Sequence, residues 1–385
     1  MKKRALIAAS VASHAERFCM NDAALLREFG YEVDVACNFE KGSSCTPEQV
    51  RAFEARLDRE GYGRKQIDFD RGALRFDRHI RAYRQLKRLI GRRDYSLIHC
   101  TTPIGGAICR AAAIGARGRG AKVLYTAHGF HFFAGAPLKN WLLYYPVEKL
   151  CARWTDVLIT INKEDFERAR RKLRAKRVEH IPGVGIDLER FHPEKYSSEE
   201  IRQIRASLGA AEDDKLLLSV GELNKNKSHD TVIRALAELG DPKLLYAVCG
   251  CGERETYLKE LASQLGAARQ VLLLGFRTDV DTLYACADLF VLPSLREGLP
   301  VALMEAIASG LPAVCSDTRG CDELTEENAR FPRGDAHECA EKIREYLSRD
   351  NTAESKRNRE RLKEYGADVV RTRMRKIYCF TESAG

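Results

Sequence analysis

The chain has 385 residues, 44% hydrophobic and 31% charged, with 11 prolines and 28 glycines, so it is too apolar for a disordered chain and too long for one ordinary core. Two globular domains of roughly 150 to 200 residues each are expected. The net charge of +9 is uneven: residues 1–183 carry 35 Lys+Arg against 20 Asp+Glu and residues 184–385 carry 29 against 35, giving the first half a surface suited to phosphates, nucleic acid or an anionic leaflet.

In chain order, residues 4–10 read as a buried strand, 16–29 as a helix closed by Gly30, and 31–37 as a second strand. The opening apolar run is broken by Ser10, Ser13, His14 and Glu16, which suits a strand better than a signal peptide, and no run reaches the roughly 18 to 20 residues needed to cross a bilayer. A cytoplasmic protein is expected. Residues 38–77 are polar, Arg-rich and weakly periodic, and are read as a helix over 46–60 within a mobile lip. Then follow a helix over 78–90, strand 96–101, helix 104–116, strand 121–126, helix 138–153 and strand 156–160. Near-continuous apolar strands alternating with helices predict a parallel sheet covered on both faces.

Pro182, Gly183 and Gly185 break the pattern, and the alternation restarts. Strands are predicted over 215–220, 244–249, 271–274, 288–292 and 312–315, with helices over 230–239, 254–265, 280–285 and 301–309. The charged tail over 352–380 has an apolar side and should pack as one or two helices on the body. The expected organisation is therefore an α/β domain over 1–183, a second over 184–360, and a C-terminal helix over 361–385. Ligands of such sheets bind at the carboxyl ends of the strands, here in a cleft between the domains.

The 13 cysteines are odd in number and scattered, as expected of reduced thiols that pack as small hydrophobes. Cys249 and Cys251 have no second close pair to complete a zinc site, so no metal is expected.

The richest stretch is residues 293–306, PSLREGLPVALMEA. Glu297 lies in a strand-to-helix loop, Pro300 suits the first turn of the helix, and Glu305 sits on an apolar helix where a carboxylate needs a partner. Two acids aimed at one site suit the hydroxyls of a sugar and a ribose. A helix amino terminus after Leu299 favours an anion. In residues 219–228, SVGELNKNKS, Lys225 and Lys227 can neutralise a diphosphate and Gly221 admits a close backbone approach. His128 follows a buried strand, next to Gly129, and is suited to donate a hydrogen bond at that strand end.

The Glu297/Glu305 segment resembles the paired-glutamate motif, two Glu separated by seven residues, of retaining family 4 glycosyltransferases, a likeness extending over nearly the whole chain. The resemblance implies the GT-B fold, two Rossmann-like parallel-sheet domains facing across a cleft, the first on the acceptor side and the second binding a nucleotide sugar. It implies that Glu297 contacts hydroxyls of the transferred sugar, that Glu305 binds ribose, and that the backbone of Gly298, Leu299 and Pro300 approaches the pyrophosphate. Lys227 falls on the diphosphate, with Lys225 beside it. The family's usual Arg is replaced by Glu222, left to bond donor hydroxyls or Lys225. Gly250 is implied beside the donor and the backbone near Phe276 against the base. His128 is implied near the donor sugar; the loop over 10–14 stands where the family commonly has a Gly-rich loop facing donor and acceptor, which makes its Ser13 and His14, with His131, acceptor-side candidates.

The implied reaction is same-face attack with retention, the leaving phosphate helping to deprotonate the acceptor. It requires no cofactor and no divalent metal. The nearest appearance is to bacterial capsule and exopolysaccharide enzymes, which implies a hexosyl or N-acetylhexosaminyl donor, UDP-linked, and a glycan or polyprenyl-diphosphate acceptor. Two rivals stand beside this: a nucleotide-sugar epimerase of the same architecture, and a basic nucleic-acid-binding protein. The latter lacks any recognition motif or alternation of basic with aromatic residues, so no nucleic-acid partner is expected. An anionic membrane surface would explain the same basic charge, with residues 141–145, WLLYY, either its apolar contact or part of a core helix.

Overall fold

Strands whose side chains are apolar on both faces occupy the middle of two separate parallel sheets in the computed structural model, which describes residues 3–42, 46–72 and 75–383. The first sheet is built from β1 (Arg4–Val11), β2 (Glu32–Asn38), β3 (Gly63–Gln66), β4 (Leu97–Thr101), β5 (Lys122–Ala127), β6 (Val157–Thr160) and β7 (Arg177–His180). Its spatial order is β3-β2-β1-β4-β5-β6-β7, every pairing parallel. The second contains β8 (Lys215–Val220), β9 (Leu244–Cys249), β10 (Val271–Gly275), β11 (Leu289–Leu292), β12 (Ala313–Ser316) and β13 (Arg330–Phe331). Its order is β10-β9-β8-β11-β12-β13, again parallel.

Each order reverses direction once, between β1 and β4 and between β8 and β11. Loops leaving those strands diverge to opposite faces, and the gap they leave is where a ligand can reach backbone. Right-handed crossovers put the connections leading to β4, β5, β6 and β7 on one face of the first sheet. Helices Phe76–Arg92, Pro103–Ala112, Leu138–Cys151 and Lys163–Lys172 therefore line that face.

The chain divides into Met1–Val184 with Asp368–Gly385, and Gly185–Ala367. Helix Thr352–Leu362 falls in the second unit, whereas helix Ala367–Ser383 joins the first. Tyr378 on the latter is buried, its hydroxyl 2.8 Å from His99 Nδ1, and Arg371 and Arg375 both pair with Glu28.

The structure corrects several expected elements. Residues 16–29 are two helices, Ala12–Phe18 and Met20–Glu28, broken at Cys19. Within 38–77 the expected helix forms as Pro47–Arg59, capped by Thr46 and Gln49, but the segment also holds the unexpected edge strand β3, and Ile67 and Phe69 are buried rather than part of a lip. Residues 43–45 and 73–74 of this segment lie outside the described residues. Strands β3, β7 and β13 are edges too short or too polar to carry an apolar run, although Phe331 of β13 is buried. The aromatics of the 141–145 run turn inward: Trp141 and Tyr145 pack on Phe132 at 5.7 and 5.3 Å between ring centres, while Leu142 and Leu143 are exposed.

Candidate functional site

Both arms of the β8/β11 switch point carry candidate residues, and they touch. Lys227, in the loop after β8, has its Nζ 2.7 Å from Oε1 of Glu297, in the loop after β11. The loops are also joined through backbone. Leu295 donates its N–H to the Asn226 carbonyl at 2.7 Å, and Asn226 Nδ2 donates to the Arg296 carbonyl at 2.9 Å. Ser228 takes φ 50°, ψ 40°, a left-handed conformation unusual without glycine, at the entry to helix His229–Leu239. Arg319, in the loop after β12, donates to the Glu297 carbonyl at 3.0 Å.

Several glycines here are required by backbone contact. A Cβ on Gly250 would lie 1.9 Å from the Gly221 carbonyl oxygen, and one on Gly320 would lie 2.3 Å from that of Gly298. The loops after β8 and β9, and those after β11 and β12, therefore meet backbone to backbone, and the first pair is further tied by Gly221 N–H donating to the Cys249 carbonyl at 2.9 Å and Leu223 N–H to the Cys251 carbonyl at 3.0 Å. Lys227 lays its stem against Gly221, since a Cβ there would be 3.2 Å from Cε.

Helix Val301–Ala308 starts directly behind this meeting point and has no side-chain cap. Pro300 is its N-cap residue rather than part of its first turn, the correction being one position. First-turn N–H groups of a helix lack intrahelical acceptors, so this end attracts negative charge. Leu299 is buried beneath it. Glu305 is 7% exposed, and its Oε2 lies 2.8 Å from the Tyr284 hydroxyl. That hydroxyl is also 3.1 Å from the Ala302 carbonyl, but its single proton serves the carboxylate better because the bond is charge-assisted.

Other second-unit candidates are peripheral to the pair. Lys225 is exposed. Glu222 accepts from Asn224 Nδ2 at 2.9 Å, so the alternative in which it binds Lys225 is not what the loop adopts. Phe276 follows β10 and is 47% exposed, its ring open to stacking. Asp281 is taken up by Arg190, Lys195 and Tyr196, and remains ionised with its carboxyl down at about 2. Cys249 is buried and Cys251 exposed. Among the described residues no three His, Cys, Asp or Glu side chains gather as a metal-ligand set.

The first unit has its own group. Ser13 and His14 belong to a helix that begins at Ala12 directly after β1, not to a loop, because the small residues Ala12, Ser13 and Ala15 let the chain turn without an intervening segment. His14 stands edge-on to His128 with 4.8 Å between ring centres, and Phe18 lies 5.4 Å from His128. The Nε2 atoms of both histidines are buried without a hydrogen-bond partner among the described residues. Burial pushes His128 down to about 4 and His14 well below the usual imidazole range, the His14 shift reinforced by His128. Both rings are neutral at pH 7. His131 is directed elsewhere: its ring packs on Tyr144 at 4.5 Å and its carbonyl accepts from Asn140. It helps fix helix Leu138–Cys151.

Sequence reasoning missed two features. Tyr284, the partner of Glu305, is 21 residues away in sequence, with nothing local to mark it. Thr102, after β4, adopts φ 69°, ψ 146°, where non-glycine residues are strained, and its hydroxyl lies 2.6 Å from that of Ser10 across the β1/β4 switch point. Pro103 restricts Thr102 but does not announce that geometry.

Comparison with known proteins agrees with this architecture. The family model "Glycosyltransferase Family 4" matches residues 15–190, and "Glycosyl transferases group 1" matches residues 200–369. EpsD of Bacillus subtilis (strain 168), named as a glycosyltransferase, is 39% identical over 85% of this chain and 82% of its own. The UDP-Gal:alpha-D-GlcNAc-diphosphoundecaprenol alpha-1,3-galactosyltransferase of Escherichia coli is 30% identical over 61% of each. The crystal structure of Anabaena Alr3699/HepE in complex with UDP-glucose shares the fold, with a TM-score of 0.77 and 20% identity over 98% of this chain and 99% of that one. The chain belongs to glycosyltransferase family 4, the retaining hexosyltransferases of GT-B fold.

Proposed function

We propose that the chain transfers a hexosyl or N-acetylhexosaminyl group from a UDP-linked donor to a glycan or polyprenyl-diphosphate-linked acceptor in the synthesis of a surface polysaccharide. The observation that carries this reading is the Lys227–Glu297 pair at the β8/β11 switch point, beside the uncapped start of the helix that bears Glu305. The E. coli relative is named for a UDP-sugar donor and a diphosphoundecaprenol acceptor, and the Anabaena structure holds UDP-glucose. The first supports the donor and acceptor classes, the second the donor class alone.

In this reading Lys227 and the first-turn N–H groups of helix Val301–Ala308, with the backbone of Gly298, Leu299 and Pro300, receive the diphosphate. Glu305 accepts from ribose hydroxyls while Tyr284 holds its other side, and Phe276 covers the base. Gly221 and Gly250 keep backbone close to the donor, with Lys225 an outer electrostatic contribution. Glu297 accepts from hydroxyls of the transferred sugar. His128, neutral and with an unshared Nε2, is assigned to the sugar and Ser13 and His14 to the acceptor side. His131 has a packing role.

The bond from the anomeric carbon to the diphosphate oxygen breaks as the acceptor oxygen bonds to the same face. The acceptor's proton passes to the departing phosphate oxygen. Positive charge on Lys227 is worth most at that moment, because negative charge develops on the leaving group. No divalent ion takes part in this proposed step. Thermal stabilisation by a panel of UDP-, GDP- and dTDP-sugars tests the assignment: UDP-sugars should raise the midpoint most, and stabilisation by GDP-sugars alone, or by no nucleotide, contradicts it.

A further inference from the structure

Of the large apolar side chains left exposed among the described residues, five lie on one 14-residue helix, Leu138–Cys151. Leu138 is 72% and Leu142 70% exposed, with Leu143, Val147 and Leu150 between 43% and 48%. At 100° per residue they fall within one half of the helix surface, together with exposed Pro146. The other half holds the helix in the fold through Trp141, Tyr144, Tyr145 and Cys151. The leucines therefore contribute nothing to the core, and an unsupported apolar ridge in water is costly unless something covers it.

Charge indicates what covers it. Lys139 and Lys149 are exposed on the same half. The helix's one acid, Glu148, is turned inward and consumed by Arg110 at 2.9 Å and the Tyr125 hydroxyl at 3.0 Å. On one side of the ridge, helix Lys163–Lys172 is tied to it by Arg168 stacked over Trp141, and displays Arg170, Arg171 and Lys172, with Glu167 shared between the two arginines. On the same sheet face, helix Phe76–Arg92 exposes Phe76 and Ile80 beside Arg81, Arg84 and Arg88. The first unit as a whole carries 39 Lys+Arg against 22 Asp+Glu, the second 25 against 33.

The geometry points to this face, centred on Leu138, Leu142 and Leu143, as a docking surface for an anionic phospholipid bilayer. The leucines enter the headgroup boundary while Lys139 and Lys149 meet lipid phosphates, the arrangement of an interfacial helix lying in the membrane plane. No helix among the described residues is long and apolar enough to cross a membrane, so contact is along the surface. An apolar partner protein would not require this excess of positive charge around the ridge.

Co-sedimentation of the full chain with vesicles tests it, comparing phosphatidylcholine alone with phosphatidylcholine and phosphatidylglycerol at about 7:3, a charge density that attracts basic surfaces. The wild type should partition onto the mixed vesicles and leave them at high salt. The triple variant Leu138→Ser, Leu142→Ser, Leu143→Ser and the double variant Lys139→Glu, Lys149→Glu should each lose at least about tenfold in partition coefficient, roughly 1.4 kcal/mol. Both alter exposed positions, so thermal midpoint and UDP affinity should stay at the wild-type value, which separates this surface from the transferase reading. Wild-type partition retained in both variants would overturn the proposal, as would no binding to either vesicle. So would self-association of the wild type that the serine variant abolishes without any lipid binding, because the face would then join two copies.

Discussion

Lys227 and Glu297 hold each other at 2.7 Å across a separation of 70 residues, and each is largely shielded, with side-chain exposures of 22% and 12%. Before any ligand arrives, the cation assigned to the diphosphate is thus neutralised by the acid assigned to the sugar. The pair prevents either charge from standing alone in a half-dry site. In the proposed reaction a phosphate oxygen takes over the bond that Lys227 makes to Glu297.

Replacing Lys227 by Ala should cut turnover ten- to a thousand-fold, about 1.4 to 4 kcal/mol of transition-state stabilisation. Lys225→Ala, at an exposed position, should change it by less than about threefold. Steady-state kinetics on both variants checks this; a dead Lys225 variant beside a near-normal Lys227 variant reverses the roles.

Tyr284 supports Glu305 from within the core, being 1% exposed. Tyr284→Phe leaves the carboxylate without that donor and should lower stability by about 1 to 3 kcal/mol, with nucleotide affinity falling as Glu305 loses its fixed orientation. Urea unfolding and calorimetric titration with UDP read the two effects. Unchanged stability and affinity would show that the Tyr284 bond is not needed.

Gly250→Ala would force a Cβ to 1.9 Å from the Gly221 carbonyl at φ +153°, whereas Gly266→Ala, at φ +74°, meets nothing within 4 Å. The first should cost about 2 to 4 kcal/mol and separate the loops at the ends of β8 and β9; the second should cost about 1 kcal/mol from backbone strain alone. Denaturant unfolding of the two variants gives the comparison, and equal losses would contradict the close approach.

His99 and His229 are buried, 1% and 2% exposed, and burial pushes both down to about 3. An unfolded imidazole takes its proton below about pH 6.5, so the stability gained from keeping them neutral is present above that pH and is lost as pH falls toward 3. Between pH 7 and 5 each contributes a loss of roughly 2 kcal/mol. Asp22, with Oδ2 3.8 Å from His99 Nδ1, acts in the opposite sense, burial having pushed its carboxyl up to about 7. Asp22→Asn should therefore steepen the pH dependence of the first unit. Scanning calorimetry at pH 7 and 5 measures this, and a midpoint indifferent to pH would contradict it.

The central strands were legible in the sequence because both faces of each are covered, leaving apolar runs such as residues 216–218, all Leu. The strands β3, β7 and β13 were not, since GRKQ, RVEH and RF are short and carry no apolar run, whereas the edge strand β10, VLLLG, does and could be read. Lys227, Glu297 and Glu305 could be singled out because a strand, a short loop and a helix start are written consecutively around them. Their contacts could not. The Lys227–Glu297 bond, the Tyr284 support and the Gly320 approach to Gly298 depend on strand order, which brings β8 beside β11 and β12 beyond it. The Ser13 and His14 expectation put a loop where small residues allow helix to follow strand directly.

Calorimetric titration of UDP and a UDP-sugar into Glu297→Gln and Glu305→Gln tests the paired-acid assignment most directly. Glu305→Gln should weaken binding of both ligands, because ribose is common to them. Glu297→Gln should depress transfer yet leave UDP affinity within about threefold, ~0.65 kcal/mol, because its contacts belong to the transferred sugar. If Glu305→Gln binds both ligands normally while Glu297→Gln fails to bind free UDP, the two roles are contradicted; if neither change alters binding or turnover, so is the site.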